Sequence, residues 1–323
     1  LSRIEQFHYG LCAFGELPGV VGYSPALWSV PDFDLNGTRA VQLSGITWTD
    51  VFYRGYYEVG RSKQVMEIRS ELINLRSDVV TLPTVEMLEA IKSAALGDDN
   101  RQEDPTVNRL EAMAAERLGK EAAILLLSGT QGNLVGMMCQ TRPGQEVILE
   151  EGAHIFTSEQ GGAARLGGLM VNRVRGHRGY PAPEDVEAAI RPIDNVHTPH
   201  TGLICLENTH NRAGGTVISP AQTKAVADVA HRHGIPVHLD GARIFNAAVA
   251  LGIDVKELVR DVDTVTFCLS KGLSCPAGAI LAGPREKIDE ARRVRKVLGG
   301  TLRQAGVIAA PGIATSCRRA GPT

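Results

Sequence analysis

Three short stretches place reactive side chains at the ends of apolar runs. In VTFCLSKGLSCPAG, Val265 to Leu269 lead through Ser270 to Lys271, which enters a turn of small residues. A lysine at the end of a buried strand loses hydration, which disfavours its ammonium form and makes a nucleophilic amine available. In IPVHLDGARIF, an apolar run ends on Asp240, with Arg243 three residues later. A carboxylate in that position needs a cationic partner, either Arg243 closing the turn or a bound ligand. In LLLSGTQGNL, the run Ala122–Leu127 opens into Ser128, Gly129 and Thr130, before a helix expected to begin near Gly132 or Asn133. Small residues let backbone N–H groups approach an anion, and the start of a helix favours negative charge there.

Taken together, an amine, a buried carboxylate and an anion cradle are the parts that pyridoxal 5'-phosphate requires. Its aldehyde bonds a lysine, its pyridine nitrogen needs a carboxylate to stay protonated, and its phosphate needs a cradle. His154, in EEGAHIFTSEQGGAA, follows an apolar run and is a candidate to cover one ring face.

Positioning these groups calls for strands alternating with helices. Runs at Ala122–Leu127, Glu146–Leu149, Leu169–Val174, Gly202–Leu206, Pro236–Leu239 and Thr264–Leu269 read as strands. TVEMLEAIKSAAL, TVNRLEAMAAERLG and SPAQTKAVADVAHRHG carry helical spacing; the last has Ser219 as N-cap, Pro220 in the first turn and Gly234 beyond the end. This alternation predicts an α/β fold, a mostly parallel sheet between helices, with ligands bound outside the carboxyl ends of the strands. His231 and His233 in HRHG fall on different sides of a helix, which argues against a metal site.

Composition excludes other classes. A formal net charge of −2 and the absence of any basic stripe argue against nucleic acid. No apolar run reaches the roughly 18 residues of a membrane helix, and the first residues show no signal peptide. Six scattered cysteines without a CxxC pair fit reduced thiols and a cytoplasmic protein. Composition also shifts along the chain: eleven of the fifteen aromatic residues precede residue 66, and all six methionines begin at Met66. Residues 1–65 are therefore expected to be an atypical, irregular extension.

The blocks INLRSDVVTLPT, EDPTVNRLE, LSGTQGNL, LENTHNRAGGTV, HLDGARIFNAAVA, FCLSKGLSCPAGAILAG and LGGTLRQAGVIAAPGI, in that order, resemble the low-specificity L-threonine aldolases. The resemblance implies an aspartate-aminotransferase-like fold with a seven-stranded sheet, and pyridoxal phosphate as cofactor. It implies cleavage of L-threonine and L-allo-threonine to glycine and acetaldehyde, in a homo-oligomer. Carried over by block, it implies that Lys271 bonds the cofactor and Asp240 holds its ring nitrogen. Arg243 would serve the ring hydroxyl and the substrate carboxylate, with Ser77 of LRSD helping to hold that carboxylate. Gly129 and Thr130 would cradle the phosphate, His154 would stack on the ring, and Arg303 would support the phosphate. The base that takes the β-hydroxyl proton is left open among His197 of NVHTPHTG, His154, and a water acting with Glu159. No metal is implied.

Two departures stand out. The family pattern DDVYGEDP reads DDNRQEDP here, with Arg101 and Gln102 in place of Tyr-Gly. The resemblance covers a cofactor-binding large domain over 66–315 and stops near Thr315. Residues 316–323 are expected to be an aberrant tail, and a small C-terminal domain to be largely missing, which would weaken turnover. A β-eliminating lyase acting on aromatic amino acids, and an inactive remnant, are the alternative readings.

Overall fold

A computed structural model describes residues 76–318, with side chains to 315, and a short pairing of Gln42–Leu43 with Ile46–Thr47. The remainder of the expected 1–65 extension, and residues 319–323 of the expected tail, lie outside the described residues. The chain divides into two compact units, Leu1–Ile73 and Asn74–Thr323, and the second carries everything that follows.

Its main elements are α1 (Val85–Lys92), α2 (Pro105–Leu118), β1 (Ala122–Leu126), α3 (Gly129–Met138), β2 (Glu146–Glu150), the single turn α4 (His154–Thr157), β3 (Met170–Val174) and β4 (Thr201–Glu207). They continue with α5 (Pro220–Arg232), β5 (Val237–Asp240), α6 (Ile244–Leu251), β6 (Thr264–Cys268), β7 (Ala279–Gly283), α7 (Arg285–Val297) and α8 (Gly306–Arg318). The strands form one seven-stranded sheet in the order β1-β7-β6-β5-β4-β2-β3. Strand β7 runs antiparallel to both neighbours, and every other pairing is parallel. All strands but the edge strand β3 are buried at every position. Burial on both faces is why the strands read as continuous apolar runs rather than alternating ones.

The six strand runs read from the sequence are present. The seventh, β7, is AILAG, whose alanines and glycine have little preference for strand. Its place between β1 and β6 comes from burial and pairing, not from local signal.

Helix starts follow capping chemistry. Ser219 and Gln222 form a reciprocal capping box at α5, with Pro220 in the first turn. At α3 the helix begins three residues earlier than the small residues suggested. Ser128 caps it by accepting from the Gln131 N–H, so Gly129 and Thr130 form its first turn instead of a loop. Asp104 of EDP, fully buried, accepts from the N–H groups of Thr106 and Val107 at the start of α2, and also from those of Gly97 and Gly306. One carboxylate thus ties α2 to the loop after α1 and to the start of α8. Asp104→Ala would leave four donors without this acceptor and is expected to lower stability by about 3 kcal/mol, measured by urea denaturation. A loss below about 1 kcal/mol would show that the carboxylate is not the tie.

Gln102 occupies the left-handed region at φ 59° and ψ 32°, where a glycine would be unstrained. The turn is therefore kept despite the substitution noted in the sequence.

Candidate active site

Six strands, all but β7, run in one direction and end along one edge of the sheet, and the candidate residues follow those ends. Asp240 closes β5 and pairs in register with Glu207 at the end of β4 and with Thr266 of β6. Helix α3 crosses close beneath this edge because three glycines face the sheet at helical spacing. A Cβ at Gly129 would sit 2.6 Å from Cys268 Sγ, and Cβ atoms at Gly132 and Gly136 would collide with Thr266 and His238. The close approach brings Asn133 of α3 into the strand ends, where it is buried.

Asn133 organises the floor. Its Nδ2 donates to Asp240 Oδ2 and to Glu159 Oε1, each at 2.8 Å, and its Oδ1 lies 3.3 Å from His238 Nε2. Burial holds the His238 imidazole down to about 4. It is therefore neutral, and the arrangement is satisfied if Nε2–H donates to Asn133 and Nδ1 accepts from Thr264 Oγ1 at 2.9 Å. The other oxygen of Asp240 accepts from the Ala242 N–H at 3.1 Å.

Beyond Asp240, His154 Nδ1 lies 2.9 Å from Glu159 Oε1. That hydrogen bond raises the His154 pKa, against the opposing effect of burial, while burial raises the Glu159 carboxyl. His154 binds its proton more tightly folded than unfolded. Its contribution to stability is complete below the unfolded value of about 6.5 and is lost as pH rises through the raised folded value. Stability of the cofactor-free chain is therefore expected to fall from pH 6.5 towards 8, with a shallower fall in His154→Ala. Urea titrations across that range check this, and identical slopes in the two proteins would reject the pairing.

Lys271 leaves the end of β6 and is half-buried, with its carbonyl accepting from Thr81 Oγ1 at 2.9 Å. Its ammonium acts on Cys268, His154 and Asp78. Arg243, just after β5, forms a side-on fork with Asp78: Nε to Oδ2 and Nη2 to Oδ1, both 2.7 Å. The fork holds the Asp78 carboxyl below its ordinary value and the Arg243 guanidinium above. Nη1 faces Asn211 Oδ1 at 3.4 Å.

These residues fit pyridoxal phosphate. Asp240 is 3% exposed. Among the described residues its donors are the neutral Asn133 amide and Ala242 N–H, and burial, with the Asp240 charge adding to it, raises the pKa of both Glu159 and Glu207. A buried carboxylate with neutral donors and carboxylate neighbours calls for a cation, and a protonated pyridine nitrogen is one.

A family model for beta-eliminating lyases matches residues 74–320. The chain belongs to the beta-eliminating lyase family. It is 47% identical over 242 residues to low-specificity L-threonine aldolase 1 of Arabidopsis thaliana, covering 74% of this chain and 67% of that protein. It is 45% identical over 243 residues to the low specificity L-threonine aldolase of Escherichia coli K12, covering 75% of this chain and 72% of that one. The chain thus spans about two thirds of the length of these relatives. Among solved structures, a Leishmania major threonine aldolase superimposes with a TM-score of 0.66 over 75% of this chain and 72% of that one, at 20% identity. That likeness supports the aspartate-aminotransferase-like fold.

Of the residues expected from the sequence, Lys271, Asp240, Arg243 and His154 share the carboxyl edge of this lyase-family sheet, with Gly129 and Thr130 at the start of α3. Ser77 caps the short 3₁₀ turn Asp78–Val80 and donates to Asp78 Oδ1 at 3.4 Å, so it stands beside the Arg243 fork. Arg303 pairs with Asp98 at 3.1 Å, and its segment passes the α3 start, with Gly300 against Gln131. The structure does not bring His197 to this edge within one chain. This histidine is exposed in the segment entering the amino end of β4, its N–H bonded to Asn195 Oδ1. Seven residues of β4, about 3.3 Å each, separate that end from Glu207, so within one chain His197 does not reach the site.

His231 and His233 pair with different acids, Asp263 and Glu187, as their opposite helix sides require. The residues that sequence reading passed over are Asn133, Asp78, Glu207 and Asn211. Asn133 left a trace, four residues past Gly129 on the face that carries the helix glycines, and Glu207 another, as a carboxylate directly after the apolar run Gly202–Leu206.

Proposed function

We propose that this chain is a pyridoxal-phosphate-dependent lyase that cleaves L-threonine and L-allo-threonine between Cα and Cβ, yielding glycine and acetaldehyde. The observation that carries this reading is the buried Asp240 with neutral donors, one strand from the exit that presents Lys271. Sequence identity of 45–47% to proteins named low-specificity L-threonine aldolase supports the substrate class.

Lys271 would bond the cofactor aldehyde, Asp240 would face its ring nitrogen, and the first turn of α3 at Gly129 and Thr130 would meet its phosphate, with Arg303 nearby. Bound there, the cofactor supplies an acceptor for the electron pair left when the Cα–Cβ bond breaks. The protein's own groups do the rest. Arg243 keeps guanidinium N–H groups beyond its Asp78 fork for the substrate carboxylate. His154, or a water held against Glu159, takes the β-hydroxyl proton; both lie at one place, and His197 does not.

The absence of a disulfide among the described cysteines, with Cys139, Cys205, Cys268 and Cys275 all buried and free, supports a reducing, cytoplasmic setting. Among the described residues no helix is long and apolar enough to cross a membrane. A homo-oligomer, dimer or tetramer, follows by similarity, as does a place in threonine breakdown and glycine formation.

The test is incubation of the purified chain and pyridoxal phosphate with L-threonine, L-allo-threonine and L-tyrosine. Acetaldehyde and glycine from the first two, with no phenol from the third, are expected. Phenol release without acetaldehyde would assign β-elimination instead, and no product from any of the three would leave an inactive remnant.

A further inference from the structure

Glu207 ends β4 beside Asp240, with which it is paired in register, and is 5% exposed. Such a carboxylate costs free energy unless its oxygens are hydrogen-bonded. Here Oε2 accepts from the backbone N–H of His154 at 2.6 Å, and Oε1 accepts from that of Asn211 at 2.8 Å. The one basic side chain within ion-pair distance of it among the described residues, His210, is 3.9 Å away, and that ring nitrogen already lies 2.9 Å from Glu150. Both oxygens are therefore committed to backbone, on two different loops. One loop carries the His154 imidazole. The other carries Asn211, whose side chain faces Arg243 Nη1.

We propose that Glu207 is a positioning residue that couples the two halves of the site, setting the imidazole with one oxygen and the carboxylate-binding arginine, through Asn211, with the other. This deepens the functional reading and rests on it for its consequences in binding, while the coupling itself is a property of the chain alone. The alternative is a purely structural role, in which Glu207 merely stabilises the end of β4. The two differ in what changes together. Glutamine has the same shape but only one accepting oxygen, so Glu207→Gln can hold one of the two N–H groups and must present an N–H to the other.

Hydrogen–deuterium exchange of the cofactor-free chain, read by mass spectrometry, tests the coupling without any ligand. In Glu207→Gln, peptides spanning the amides of His154 and Asn211 are expected to exchange at least about tenfold faster, with peptides from β1 and β6 unchanged. Acceleration in neither segment, or uniformly along the chain, overturns the proposal. Glycine binding to the pyridoxal-phosphate-loaded protein then separates positioning from bulk stability. Glu207→Gln is expected to weaken it about tenfold in the wild-type background and less than about twofold when Asn211→Ala is already present. Equal losses in both backgrounds overturn the proposal. Should Glu207→Gln fail to fold, Glu207→Asp, which keeps the charge and shortens the reach, carries both measurements with the same expected directions. A wild-type chain that binds no glycine when loaded would count against the functional reading, whereas the exchange result would still decide whether Glu207 couples the loops.

Discussion

Lys271→Ala is expected to lower threonine cleavage at least about a thousandfold, while the midpoint of thermal unfolding moves by no more than a few degrees. The two halves of that expectation have separate grounds. The activity falls because Lys271 presents an amine beside Asp240 and His154 at the strand ends, and the described residues place no other lysine there. The fold survives because the structural contact at this position is made by the Lys271 carbonyl, which accepts from Thr81 Oγ1 and is unchanged by the substitution. None of the ion pairs among the described residues uses its ammonium. Acetaldehyde release and differential scanning calorimetry measure the two. Retention of more than a tenth of wild-type turnover would remove Lys271 from the chemistry.

Asp240→Asn is expected to reduce turnover by about a hundredfold to ten-thousandfold with stability changed by no more than about 1 kcal/mol. An amide would not stabilise a protonated ring nitrogen as a carboxylate does, so pyridoxal phosphate held there would accept electrons less well. Stability is expected to move little because the Asp240 charge acts both ways: it adds to burial in disfavouring ionised Glu159 and Glu207, and it favours the cations of Arg243 and His154. Removing the charge relieves the neighbouring carboxylates and weakens the attraction to the cations, leaving a net change of no more than about 1 kcal/mol. The amide oxygen still accepts one of the two hydrogen bonds, from Asn133 or Ala242. Urea denaturation and steady-state kinetics on the same preparation give both numbers. A variant that loses activity and several kcal/mol of stability together would show that Asp240 serves the fold first.

The position of this carboxylate is also why the central residue was readable. A carboxylate at the end of an apolar strand violates local expectation, and so does a lysine leaving another. Both signals are contiguous in the sequence, since each depends on a strand and the residue that follows it. The strands themselves were legible for the same reason: burial on both faces makes them runs of apolar residues. The capping residue Ser219 and the turn at Gly234 are likewise local, because a helix end is satisfied by neighbours within a few positions.

What could not be read is whatever depends on distance through space. Asn133 meets Asp240 across 107 residues, and Asp78 meets Arg243 across 165. No periodicity relates such pairs. His197 entered through the family resemblance and His154 also as a histidine following an apolar run, but one precedes β4 and the other follows β2. Only the direction of the strands decides which edge each occupies. Strand β7 was hidden for a related reason, its alanines gaining their extended form from two flanking strands rather than from their own preference. The sequence by itself determined which residues are reactive and which runs are buried, since hydrophobicity and capping act between near neighbours. The tertiary structure alone decided which of those residues meet, because side-chain hydrogen bonds act over about 3 Å and depend on strand order, direction and the glycine-lined approach of α3.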